Sequence, residues 1–149
     1  MPRILSIDDS KTIRLMLARL FRPFACDLME AANGEEGLAV ALRENPDLII
    51  LDYNMPVMDG LEFCRALRAT EWGQSMYVIM LTGVEAENEI IEAFEAGVDD
   101  YVTKPVNVRA LRARMRAALH YVKLLQNWER DRDQLKQFAA ELAISNRRL

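Results

Sequence analysis

Five polar residues stand at the ends of runs that read as strands in this chain, and their types suit the chemistry of a phosphoryl group. Asp8 and Asp9 follow Ile4-Leu5-Ser6-Ile7, Asp52 follows Leu48-Ile49-Ile50-Leu51, Thr82 follows Tyr77-Val78-Ile79-Met80-Leu81, and Lys104 ends Val98-Asp99-Asp100-Tyr101-Val102-Thr103. Three carboxylates brought together repel one another unless a hard divalent cation neutralises them. Mg2+ takes one or two carboxylates and fills its octahedron with water and phosphate oxygens, so an incomplete protein shell suits it. A carboxylate can attack phosphorus to give an aspartyl phosphate, while a lysine and a hydroxyl neutralise and hydrogen-bond the phosphoryl oxygens. Taken singly, each residue has a plainer reading: a turn-capping aspartate at 52, a solvated acidic turn at 8 and 9, a strand-end threonine, a surface lysine. Their joint placement at one edge of one sheet argues against those readings.

The elements that would place them there alternate along the chain. Leu48-Ile49-Ile50-Leu51, preceded by Asn45-Pro46, has no polar alternation and reads as a parallel strand buried on both faces. Ile4 to Ile7, Cys26 to Ala31, Tyr77 to Leu81 and Val98 to Thr103 read as four further strands, the second near the sheet edge. Ser10 is expected to cap a helix through Phe21, which Pro23 ends. Asn33 with Glu36, and Asp59 with Glu62, have capping-box spacing and open helices to about Glu44 and Ala69. A fourth helix runs from about Ala86 to Ala96, closed by Gly97, and a fifth from about Asn107 shows no Gly or Pro through to Leu149. Five strands alternating with five helices imply an α/β fold, a doubly wound parallel sheet with helices on both faces. Ligands bind such sheets beyond the carboxyl ends of the strands, where strand order reverses.

Composition bounds the function classes. With 149 residues, 51% hydrophobic and 28% charged, the chain suits one domain of ordinary size plus additional helix. A net charge of −4 and no basic cluster on the early helices give no indication of nucleic-acid binding by this chain. Cys26 and Cys64 lie far apart and His120 is the only histidine, so no zinc site is indicated and the thiols suit a reducing, cytoplasmic setting. There is no signal peptide pattern and no apolar run near the ~18 residues that a membrane span needs.

With these residues in place, the chain resembles the receiver domain of two-component response regulators. The resemblance rests on Asp8-Asp9, on Leu51-Asp52-Tyr53-Asn54-Met55-Pro56-Val57-Met58-Asp59-Gly60, on Leu81-Thr82-Gly83, and on Gly97-Val98-Asp99-Asp100-Tyr101-Val102-Thr103-Lys104-Pro105. It covers residues 1 to 122 and implies a flavodoxin-like sheet of order 2-1-3-4-5. It further implies that Asp52 is the phosphoacceptor, that Asp9, Asp8, Asp52 and the backbone carbonyl of Asn54 hold Mg2+ (Mn2+ being able to replace it), and that Lys104 pairs with the phosphate. Thr82 then resembles the switch hydroxyl and Tyr101 the aromatic that follows it; a cis Lys104-Pro105 peptide is usual in the family. A sensor histidine kinase or phosphotransfer protein is the implied donor, and the domain is a regulatory phosphoacceptor, assisting only its own phosphorylation and dephosphorylation. Two other readings fit less well. A haloacid-dehalogenase-like phosphatase needs an aspartate two residues after its nucleophile, where this chain has Asn54. A phosphate-independent pseudo-receiver would lack the acceptor or the lysine, and both are present.

The segment 123–149 extends beyond the resemblance. From Val108 to Leu149 is 42 residues, about 63 Å as one helix, against about 35 Å for a compact 120-residue domain. Tyr121, Trp128, Leu135, Leu142 and Leu149 repeat every seven residues, with Ala118, Leu125 and Ala139 three residues before three of them, while Arg132 and Asn146 interrupt that second set. This is a coiled-coil seam, expected to pair two copies in parallel together with a receiver face; the alternatives are a helix folded back on the domain or a solvated tail. The seam stops mid-heptad, as a linker toward a C-terminal output domain would, a diguanylate cyclase being one candidate.

Overall fold

A computed structural model describes residues 1–83 and 86–147. Leu149, the last residue of the expected seam, lies outside them. Five strands, β1 (Arg3–Ile7), β2 (Asp27–Ala31), β3 (Leu48–Asp52), β4 (Tyr77–Thr82) and β5 (Asp100–Thr103), form one parallel sheet of order β2-β1-β3-β4-β5. The order reverses between β1 and β3, so the crevice expected for ligands opens beyond the ends of those two strands.

Strand alternation divides the core into two layers. Ile4, Leu48, Ile50, Ile79 and Leu81 pack against α1 (Lys11–Phe21) and the first turns of α5 (Val108–Arg147), meeting Leu17, Leu111 and Met115. Leu5, Ile7, Ile49, Leu51 and Val78 pack on the opposite face, beneath α2 (Gly34–Glu44), α3 (Gly60–Arg68) and α4 (Glu87–Ala96). A strand covered on both faces has no solvent side, which is why β3 carries no polar residue before Asp52.

The helix ends follow their capping residues. Ser10 Oγ accepts from the Ile13 amide, Asn33 Oδ1 from Glu36 and Asp59 Oδ1 from Glu62. Glu36 completes its box one residue early, its carboxylate accepting from Ala32 rather than from the cap. Gly97 closes α4 at φ 110°, a left-handed conformation that favours glycine. The fifth strand is shorter than the sequence suggests: Val98 and Asp99 form its approach, with the Asp99 amide bonded to the Val78 carbonyl. No periodicity announces the short 3-10 turn Trp72–Gln74. Arg68 binds this turn into the fold, donating to the carbonyls of Gly73, Met76 and Gly97 and to Asp99.

The last helix is continuous over 40 residues. Leu111, Met115, Ala118 and Val122 bury one stripe in the domain, and the side chain of Gln126 donates to Asp47 at 2.9 Å. Ala118, expected in the coiled-coil seam, is thus a core residue of the domain, 1% exposed. From Trp128 to Arg147 every residue is exposed, so the described helix projects rather than folding back. No helix among the described residues is long and apolar enough to cross a membrane.

Candidate functional site

The site grows from strand ends held in register. Beyond β1 the Asp8 amide bonds to Ala31, beyond β3 the Tyr53 amide bonds to Leu81, and beyond β5 the Lys104 amide bonds to Thr82. These ladder-like bonds carry the sheet's order one residue past the strands, where the polar side chains sit. The loop after Asp52 is closed by the Gly60 amide on the Tyr53 carbonyl. A Cβ at Gly60 would stand 2.9 Å from the Asp52 carbonyl, so glycine is what permits this approach.

Carboxylate oxygens of Asp8, Asp9 and Asp52 all lie within 4.8 Å of one another. Asp8 and Asp52 are buried and Asp9 is exposed at the rim. Lys104 Nζ donates to Asp52 Oδ1 at 2.5 Å, the ammonium side chain remaining one-third exposed. Asp8 Oδ1 accepts from the Ser10 amide at 2.8 Å, while its Oδ2 is buried without a hydrogen-bond partner among the described residues. Burial pushes the Asp8 carboxyl up from 3.8 to about 6; the Ser10 bond opposes this and the nearby Asp52 charge adds to it. Such a group takes up a proton more readily than an exposed carboxylate and favours a nearby counter-charge when ionised.

Thr82 is 2% exposed at the end of β4. It lines a small cavity with Tyr53, Met80, Ala93 and Tyr101. The Tyr101 ring is half-buried and meets Phe94 edge to face, centroids 5.9 Å apart. Asn54 is exposed in the loop two residues after Asp52. The Lys104-Pro105 peptide is cis. The fold therefore brings Asp8, Asp9, Asp52 and Lys104 into one cluster, sets Thr82 and Tyr101 on one cavity, and leaves Asn54 on the adjoining loop.

Two further residues shape the site without having been singled out in the sequence. Arg14 Nη1 donates to the Asp8 carbonyl at 2.6 Å, tying α1 to the acidic loop. An arginine one turn into the helix after an acidic pair is the signal that could have identified it. Val57 has φ 72°, unusual for a β-branched side chain, in a tight turn where the Met58 amide meets the Pro56 carbonyl. Nothing in its residue type foretells that conformation.

The response regulator receiver domain matches residues 4–116 of the chain. The chain belongs to this family. Among curated relatives, the DNA-binding dual master transcriptional regulator RpaA of Synechocystis is 40% identical over 80% of the chain and 49% of its own length. The phosphate regulon regulatory protein PhoB of Pseudomonas aeruginosa is 39% identical over 78% of the chain and 51% of its own. This receiver chain thus spans about half the length of the curated relatives it matches. Among solved structures, Vibrio cholerae chemotaxis protein CheY4 superposes with a TM-score of 0.74 at 32% identity, covering 79% of this chain and 98% of CheY4. The receiver domain of a histidine kinase from Syntrophus aciditrophicus gives 0.76 at 31% identity, covering 83% and 93%. The chain is thus a receiver domain of the kind found in two-component response regulators.

Proposed function

We propose that Asp52 is the phosphoacceptor of this receiver, and the observation that carries the proposal is its buried carboxylate set between two further carboxylates and the Lys104 ammonium. In the reaction an Asp52 oxygen attacks the phosphorus of a phosphohistidine, the P–O bond forms as the P–N bond breaks, and the imidazole leaves. Lys104 holds the attacking carboxylate in place and then shares its charge with a phosphoryl oxygen. The Thr82 hydroxyl, from the end of the neighbouring strand, then donates to another phosphoryl oxygen.

The donor set fits a hard cation: three clustered carboxylates, one with a buried oxygen that lacks a partner among the described residues. Asp8, Asp9, Asp52 and the Asn54 carbonyl would hold Mg2+, or Mn2+ in its place. Bound there, the ion would supply the positive charge that lets a carboxylate and a phosphoryl group approach. Everything else in the step falls to Lys104 and Thr82.

When Thr82 turns toward the phosphoryl group it vacates space beside Tyr101, and a charge change at the sheet edge becomes a packing change along α4, β5 and α5. The readout is a change in how two copies meet through this face and the projecting helix, which continues toward an output domain. The transcriptional regulators among the relatives make a DNA-binding output an alternative to a cyclase; this chain itself serves as the regulator, acting on no substrate beyond its own phosphoryl group. The test is intact-mass measurement after incubation with phosphoramidate and Mg2+. Wild type should gain one phosphoryl group, and both Asp52→Asn and chelated wild type none. Full labelling of Asp52→Asn would remove the acceptor assignment.

A further inference from the structure

Beyond the domain, α5 presents large apolar side chains to water. Leu124, Trp128, Leu135, Phe138 and Leu142 are 54%, 58%, 68%, 57% and 49% exposed. They form two overlapping stripes that share Trp128, Leu135 and Leu142. One stripe is completed by Leu125, Arg132 and Ala139, the other by Leu124, Asp131 and Phe138.

We propose that this segment pairs in parallel with the same segment of a second copy, on the first stripe, in a register fixed by Asp131 of each copy meeting Lys136 of the other. The inference rests on the reading that two copies meet through this helix, and it does not depend on phosphorylation. Pairing on the second stripe would stack Asp131 on the second copy's Asp131 inside the seam, where two carboxylates repel. Pairing on the first places Asp131 on the flank, five residues before Lys136. That is the spacing at which side chains cross between parallel helices, and it gives two opposite-charge pairs by symmetry. Leu124 and Phe138 then lie beside the seam and widen its apolar contact.

The two polar residues within the seam fit the same arrangement. Arg132 sits next to the second copy's Asp131, and in the single chain its guanidinium already lies 5.1 Å from the Trp128 ring, alongside the seam. Asn146 faces Asn146, a polar layer that fixes register in parallel dimers. An antiparallel pairing over the same length would instead set Asn146 level with Tyr121, whose ring lies 5.8 Å from the domain's own Tyr77.

The experiment is sedimentation equilibrium of the full chain with Asp131→Lys, Lys136→Asp and the double exchange, alongside oxidative cross-linking of Leu142→Cys in a Cys26→Ser background. Wild type should dimerise. Each single exchange should weaken the dimer about fivefold or more by setting like charges together, and the double exchange should restore it to within about twofold. Leu142→Cys should cross-link to itself. A wild-type chain that stays monomeric overturns the proposal together with the reading that copies pair. A dimer indifferent to the single exchanges, a double exchange as weak as either single, or a dimer without the cross-link overturns the register alone and leaves pairing through another face.

Discussion

Burial decides the charge state of Asp8, and that makes it the most informative single residue after Asp52, the proposed acceptor. Its carboxyl is raised to about 6 from 3.8, so in metal-free protein the contribution of this one group to stability is greatest below the ordinary value and is lost as pH climbs through 6. A rise of about two units is at most roughly 3 kcal/mol. Asp8→Asn keeps an acceptor for the Ser10 amide but removes the charge, and should stabilise the metal-free domain by about 1–2 kcal/mol at neutral pH. The stabilisation that added Mg2+ gives wild type should fall as pH drops through 6, since protons compete for Asp8, and should be largely absent in the variant. Thermal unfolding with and without Mg2+ on both sides of pH 6 checks both points; an equal Mg2+ effect in Asp8→Asn would mean that Asp8 is not a ligand. The sequence made these residues legible because chemistry restricts what can stand after a buried strand: an aspartate following Leu48-Ile49-Ile50-Leu51 is costly unless used. Arg14 and Val57 were not legible, because a side chain reaching a backbone carbonyl and a left-handed turn leave no pattern in composition or period.

At the scale of elements, strand period and capping residues largely specify the fold. Every helix of the first three starts at the side chain that its sequence offers as a cap. What period cannot express is a junction. Arg68, 18% exposed, links the end of α3, the 3-10 turn, the end of α4 and Asp99, which in turn accepts from the Val78 amide at the start of β4. The strand so aligned ends in Thr82. Arg68→Ala should destabilise the domain by about 2–4 kcal/mol through the carbonyls left unpaired, and Arg68→Lys should recover less than half, since an ammonium cannot span the same fork of acceptors. Chemical denaturation measures this, and a loss below about 0.5 kcal/mol would show the junction to be redundant. The seam shows the same limit: its seven-residue period continues smoothly into Ala118, and only packing reveals that Ala118 belongs to the domain core.

For the whole molecule, the division between receiver and helix follows from where contacts end. The side chain of Gln126 still bonds to Asp47, and from Trp128 to Arg147 the helix is exposed. Removing residues 129–149 should leave the thermal midpoint of the monomer within about 2 °C and phosphorylation intact, while weakening self-association. A large fall in the midpoint on truncation would show that the projecting segment stabilises the domain. The central claim, a phosphoryl group carried on one buried carboxylate, is tested most directly by borohydride reduction of the phosphorylated protein followed by peptide mass mapping. Reduction converts an acyl phosphate to the corresponding alcohol, so the peptide carrying Asp52 should contain homoserine in its place only after phosphodonor and Mg2+. Homoserine at Asp8 or Asp9, or label with none at Asp52, would contradict it.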